Sequence, residues 1–287
     1  MSNLDPRLTP ARPDLAAKHL EGKVAAERFV EGDRREVVDA QAPVRRAPAP
    51  DATMVTQALK GERVTIYETN QEGWSWGQLE ADGYVGWLPS NALMPPGPES
   101  THRVTALRTL AFPGPDIKLP PVEMLTLGAR LAVIRQEGRF SVSTSGYVPA
   151  NHLAPVAATE PDFVALAERF IGAPYLWGGK TSLGLDCSGL VQVSLDACGI
   201  PCPRDSDMQE AALGAALRLE NALMDLKRGD LVFWKGHVAI ARDATTLLHA
   251  NAFHMAVTSE PAAEAIERIR ASGSEITSVR RLPSPLP

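Results

Sequence analysis

The sequence predicts a multidomain chain: two small all-β barrels in succession, then an α+β domain built on an antiparallel sheet. Three observations carry this. From residue 51 to 156, short runs of Val, Ile, Tyr and Trp alternate with polar residues, and Gly, Asn and Asp interrupt them at regular intervals. That is the pattern of short strands in small barrels. The rhythm occurs twice: Gly83-Tyr84-Val85-Gly86-Trp87-Leu88-Pro89 has a counterpart in Gly146-Tyr147-Val148-Pro149, which marks a tandem repeat. After residue 160, helical periodicity and short β-runs occur together, as in an α+β domain.

Composition bounds the function. The chain has 287 residues, 44% apolar and 22% charged, enough for two or three domains of roughly 100–150 residues. A net charge of -5 gives no reason to expect nucleic acid or an anionic membrane as partner. No apolar run reaches the roughly 18–20 residues that span a bilayer. The first residues lack a basic patch followed by an apolar stretch, so a secretory signal is not expected and the cytoplasm is. There are three cysteines, Cys187, Cys198 and Cys202. An odd, low count argues against a disulfide framework. Cys198 and Cys202 lack a second pair, so they read as small buried residues rather than zinc ligands.

In chain order, residues 1–50 read as an N-terminal extension and linker. Residues 14–31 have a loose amphipathic pattern through Leu15, Leu20, Val24 and Phe29, which predicts a helix. Pro43, Pro48 and Pro50 predict a linker with neither helix nor sheet. Residues 51–98 form the first β-module, 101–156 the second and 160–287 the α+β domain. In the last, Phe163, Leu166, Ala167 and Phe170 share one helix face, with Gly172-Ala173-Pro174 as its stop. A second helix starts at Asp186-Cys187 and ends before Gly199 and Pro201. Three β-runs follow, with a turn at Lys235-Gly236.

The chemistry collects in this last domain. Asp186 can cap a helix whose first residue is Cys187, and a thiol there has its pKa depressed by unpaired N–H groups and the helix dipole. The same N–H groups can stabilise an oxyanion. His237 begins a strand after a tight turn and is the candidate base. His249 lies on the next β-run, where antiparallel pairing can set it beside His237 to orient the ring. Nucleophile, base and orienting group form a generalised catalytic triad.

The ordered elements Pro174-Tyr175-Leu176-Trp177-Gly178-Gly179, Asp186-Cys187-Ser188-Gly189, Gly229-Asp230-Leu231, His237-Val238-Ala239-Ile240 and His249 resemble the NlpC-type cell-wall peptidases, a papain-like cysteine peptidase family. The resemblance implies Cys187 as nucleophile, His237 as general base, His249 as third residue and Tyr175 beside the nucleophile. It calls for no metal or cofactor. The two β-modules then resemble bacterial SH3-like domains. Their order narrows the resemblance to the γ-D-glutamyl-L-diamino acid endopeptidases (dipeptidyl-peptidase VI), whose substrates are short murein peptides of the type L-Ala-γ-D-Glu-diaminopimelate.

In that subgroup the residues flanking the nucleophile and an Arg-Asp-Ser-x-x-Gln segment shape the substrate pocket. Here these are Asp186, Ser188, Asp205, Ser206 and Gln209. A carboxylate such as Asp205 would select a free ammonium. The first SH3-like module is expected to wall off the site through Glu62 and Tyr84. Two other readings are a wall-anchored hydrolase of intact murein and a non-enzymatic SH3-like binding protein. The sequence leaves open the preferred diamino acid and the oligomeric state.

Overall fold

Alternating apolar and polar residues become strands wherever the β-runs were expected, and in one place where they were not. The computed structural model describes residues 4–219 and 224–283 and separates into units 1–158 and 159–287.

In the first unit, the helix expected over 14–31 is absent. Its place is taken by a short parallel pair, β1 (Ala16–Ala17) and β2 (Phe29–Val30), with one 3-10 turn at Lys18–Leu20. Leu15 is buried against Trp76 and Trp87. The Arg12 guanidinium lies over both indole rings, 4.4 and 5.1 Å from their centroids. Apolar burial and cation–π contacts outweigh a weak helical periodicity here.

Residues 33–45, read above as extension and linker, form β3 (Asp33–Val37) and β4 (Gln41–Arg45). They join β5 (Met54–Leu59), β6 (Arg63–Thr69), β7 (Trp74–Leu79), β8 (Val85–Pro89) and β9 (Leu93–Met94) in one sheet, ordered β5-β4-β8-β7-β6-β3-β9. Pro43 lies within β4, opposite Gln57. The strand tolerates it because β4 meets β8 through a single pair, Arg45 with Trp87, and proline is tolerated where a ladder is nearly open. Val37, Val44, Val64, Leu79, Tyr84 and Leu88 fill the core.

The second β-module consists of β10 (His102–Val104), β11 (Arg108–Ala111), β12 (Glu123–Thr126), β13 (Arg130–Leu131), β14 (Val133–Glu137), β15 (Phe140–Ser143), β16 (Gly146–Pro149) and β17 (Leu153–Pro155). These strands form three small antiparallel sheets. The repeated motif carries a repeated geometry: β8 and β16 each run into a 3-10 turn, Ser90–Ala92 and Ala150–His152, and then a short strand.

The second unit holds α1 (Phe163–Glu168), whose first turn is capped by Asp162, then the hairpin β18 (Lys180–Thr181) and β19 (Gly184–Leu185). Next come α2 (Cys187–Ala197), α3 (Ser206–Ala212) and β20 (Ala215–Ala216). Strands β21 (Leu231–Trp234), β22 (His237–Ala241), β23 (Thr246–Asn251) and β24 (Ala256–Pro261) precede α4 (Ala262–Ala271) and β25 (Ile276–Arg281). The six-stranded antiparallel sheet is ordered β20-β25-β21-β22-β23-β24. Ala262 and Ala265 of α4 pack with Val232, Trp234, Ala239, Ala241 and Leu247. Asp230 of the Gly-Asp-Leu element is buried and bonds the Arg281 guanidinium at 2.7 and 2.6 Å, so it clasps β25 to the sheet.

Candidate active site

The site begins with the start of α2. Asp186 accepts the Gly189 N–H at 2.7 Å, which caps the helix and sets Cys187 as its first residue. The Asp186 carboxylate also accepts the Gly178 N–H at 2.8 Å, tying the Gly178-Gly179 turn to the helix. Gly178 takes φ 75°, a left-handed conformation suited to glycine. Gly189 faces the Gly179 carbonyl so closely that a Cβ would come within 2.2 Å of it. The glycines of both motifs therefore let the loop and helix meet around the thiol.

A file of side chains crosses the sheet. β22 and β23 pair Ile240 with Leu248. Continuing that register sets His237 and His249 as diagonal neighbours on one face. His237 Nε2 lies 2.8 Å from His249 Nδ1, and Trp234, opposite His237 across the β21–β22 hairpin, holds its ring at 5.6 Å between centroids. His249 is fully buried, and its Nε2 meets Glu260 Oε1 at 2.6 Å. β23 and β24 pair His249 with Thr258, so Glu260 is again the diagonal neighbour. Arg268 of α4 closes the file with an ion pair to Glu260. The Val238 N–H, one residue past His237, bonds the Cys187 thiol.

The electrostatics differ from the depressed thiol expected at a helix start. Cys187 is buried, and burial together with the Asp186 charge pushes the thiol up to about 12. The Val238 and Ser188 N–H groups and Arg204 pull the other way without offsetting this. Burial, with His249 and Arg268 close by, drives His237 down to about 3, against the pull of Glu260. The resting pair is thus a neutral thiol and a neutral imidazole, so the helix end stabilises charge that forms during attack. Tyr175 is pushed up to about 12 by burial and by the Cys187 and Asp186 charges.

Arg204, the first residue of the Arg-Asp-Ser-x-x-Gln segment, had no role of its own in the sequence, and the structure gives it one. It is 1% exposed and binds both Asp186 oxygens, Nη1 at 2.9 Å and Nη2 at 2.7 Å. It also donates to Ser188 Oγ at 2.9 Å. With Gly178, Gly189, Ser188 and Arg204 all directed at it, Asp186 has its acceptor sites filled. In this structure it is a brace for the α2 start rather than a group open to substrate. Gln209 donates to the Ser188 and Pro203 carbonyls, both at 2.9 Å, and so fastens α3 to α2. Arg204→Met leaves the Asp186 charge buried without its partner, and we expect a loss of about 3–5 kcal/mol in chemical denaturation. A loss below about 1 kcal/mol would show that the ion pair does not hold the site together.

The other expected residues fall as follows. Asp205 is half-buried at the N-cap of α3 but does not cap it with its side chain. Ser206 is buried as the first residue of α3. Glu62 and Tyr84 belong to the first unit. There the Glu62 carboxylate accepts the Leu59 N–H at 3.1 Å, and Tyr84 packs in the barrel core. Cys202 is buried and Cys198 partly so, and neither is in a disulfide. Glu260 and Arg268 were also missed in the sequence. Their alignment with His249 exists only through the β23–β24 register and the return of α4.

Comparison with known proteins agrees with this geometry. A profile described as "NlpC/P60 family" matches residues 172–270, and one described as "Bacterial dipeptidyl-peptidase Sh3 domain" matches 44–93. The γ-D-glutamyl-L-lysine dipeptidyl-peptidase of Bacillus subtilis (strain 168) is 30% identical over 224 residues, 70% of this chain and 73% of that protein. Dipeptidyl-peptidase 6 of Lysinibacillus sphaericus is 35% identical over 102 residues, 36% of each. The crystal structure of an NlpC/P60 family protein from Bacillus cereus ATCC 10987 superposes with a TM-score of 0.71 at 22% identity, covering 88% of this chain and 100% of that one, a likeness of fold. The chain therefore belongs to the NlpC/P60 peptidase family and carries a bacterial SH3 domain ahead of its peptidase domain.

Proposed function

We propose that this peptidase is a cysteine endopeptidase that cleaves the amide between γ-D-glutamate and an L-diamino acid, with diaminopimelate as the type substrate. Its peptides are short murein fragments with a free N-terminal L-Ala, and its role is cytoplasmic recycling of cell-wall peptides. The observation that carries the reading is Cys187 at the start of α2, with the His237–His249 file entering beside it. The relatives, a γ-D-glutamyl-L-lysine dipeptidyl-peptidase and a dipeptidyl-peptidase 6, suggest the bond class.

The chemistry is acyl transfer. His237 takes the Cys187 proton as sulfur attacks the γ-carbonyl carbon, and the N–H groups of the first turn of α2 face the oxygen that becomes negative. Tyr175 adds a hydroxyl donor on that side. His237 then returns the proton to the departing α-amine of the diamino acid, leaving a thioester on Cys187. Water, deprotonated by His237, hydrolyses the thioester to release L-Ala-γ-D-Glu. Asp205, with Ser206 and Ser188 nearby in chain and fold, receives the alanine ammonium.

The test compares L-Ala-γ-D-Glu-diaminopimelate with its N-acetyl form, with products identified by mass spectrometry. The free peptide yields L-Ala-γ-D-Glu and diaminopimelate. The acetylated one is cut at least about a hundredfold more slowly, because the half-buried Asp205 carboxylate loses its ion partner. Comparable rates would overturn the free-amine reading and favour a hydrolase of intact wall.

A further inference from the structure

The file across the sheet does not stop at the third residue. His249 Nε2 is 2.6 Å from Glu260 Oε1, and the same oxygen is paired with Arg268. A carboxylate in that position has no proton to give. Burial alone would raise it, but the hydrogen bonds from His249 and Arg268 hold Glu260 down at about 2. Its oxygens therefore only accept. We propose that Glu260 is a positioning residue that dictates which nitrogen carries the proton on His249, and through it on His237, leaving His237 Nδ1 as the base for the Cys187 thiol.

Protons are conserved along the file, so each ring nitrogen's state follows from its neighbour's. Because Glu260 only accepts, the proton on His249 sits on Nε2. In the neutral ring Nδ1 then carries a lone pair. That nitrogen lies 2.8 Å from His237 Nε2, so Nε2 of His237 is the donor and Nδ1 is bare. The opposite polarity puts the proton on His237 Nδ1, where the ring cannot accept one from the thiol. A misplaced tautomer of this kind is costly in triads. Glu260 also supplies negative charge behind His237 as its imidazolium forms, since its charge favours that form.

Among the described residues, the charged and titratable groups along the file come from four elements and one loop. His237 stands on β22, His249 on β23 and Glu260 on β24. Arg268 reaches down from α4, and its guanidinium lies 4.3 Å over the Phe253 ring. His254, in the loop between β23 and β24, has Nδ1 3.9 Å from Glu260 Oε1, and that nitrogen is already engaged by Asn251. The bland alternative is that Glu260 only pins α4 to the sheet through Arg268.

This inference rests on the thiol-peptidase reading, and its test separates the two. Full-length protein labelled with 15N-histidine reports the protonation of each ring nitrogen without any substrate, with His→Gln variants assigning the signals. In wild type, His237 is expected protonated at Nε2 and bare at Nδ1. In Glu260→Gln, whose amide can donate as well as accept, protons are expected on both His237 nitrogens across the population. The same variant is expected to lose roughly 10–100-fold in kcat with KM changed less than about twofold. Arg268→Met is expected to lower thermal stability while keeping the wild-type tautomer; were Glu260 only a structural pin, Glu260→Gln would do the same and leave the His237 tautomer unchanged. A wild-type His237 protonated at Nδ1, or a Glu260→Gln variant with unchanged tautomer and kcat, overturns the proposal. Correct tautomers in a protein that leaves the murein tripeptide uncut would instead overturn the substrate reading and leave this one standing.

Discussion

Cys187→Ala is expected to abolish peptide hydrolysis while the protein stays folded. Among the described residues the Cys187 thiol is the only sulfur at the start of a helix with a histidine file beside it; Cys198 is at the far end of α2 and Cys202 lies beyond it. Without the sulfur no thioester can form, and water has no equivalent position from which to attack. Losing one buried sulfur from a helix start costs about 1 kcal/mol or less, so circular dichroism and thermal unfolding should stay close to wild type. Cys198→Ala and Cys202→Ala should retain activity, since neither touches the file. Turnover above trace level in Cys187→Ala, measured after purification from a host lacking such peptidases, would show that the nucleophile is elsewhere.

His237→Ala is expected to reduce kcat by roughly 10²–10⁴-fold, the usual cost of removing a general base. The effect should be close to the upper end. Cys187 is held as a neutral thiol by burial, so it depends on a neighbour to take its proton rather than existing as a preformed thiolate. His249→Ala should be milder, because His237 keeps its position against Trp234 and water can enter the space left behind. The measurement is kcat and KM for both variants on the same peptide. Equal, small losses would point to another base, and His254, exposed in the loop after β23, would then be the one to test.

The candidate site was legible in the sequence because its motifs are carried by local chemistry. Asp186 before Cys187 is a capping signal, and the structure uses it as one. Gly178, Gly179 and Gly189 were visible as motif residues, but the close approach that requires them appears only when loop and helix meet. The thiol's electrostatics were not legible. A helix start argues for a depressed pKa, whereas the depth of burial, a property of the whole packed domain, pushes it up. The first fifty residues failed for a related reason. Prolines and weak periodicity suggested an extension, yet β3 and β4 complete a sheet whose partners lie up to several tens of residues away. Short strands set between two partners, as β3 and β4 are, gain their stability from that ladder and not from their own propensity.

The sequence by itself determined the peptidase motifs, their order, the β-modules ahead of them and the assignment of Cys187, His237 and His249 as candidates, because each is encoded within a few neighbouring residues. The tertiary structure alone decided what stands behind them. Arg204 becomes the partner of Asp186 because α3 packs across the start of α2, burying two opposite charges that must then pair. Glu260 falls in line with His249 because antiparallel register sets diagonal neighbours on one face, and Arg268 joins them because α4 folds back over that face. Contacts between residues distant in sequence follow from register and packing, which no local pattern records.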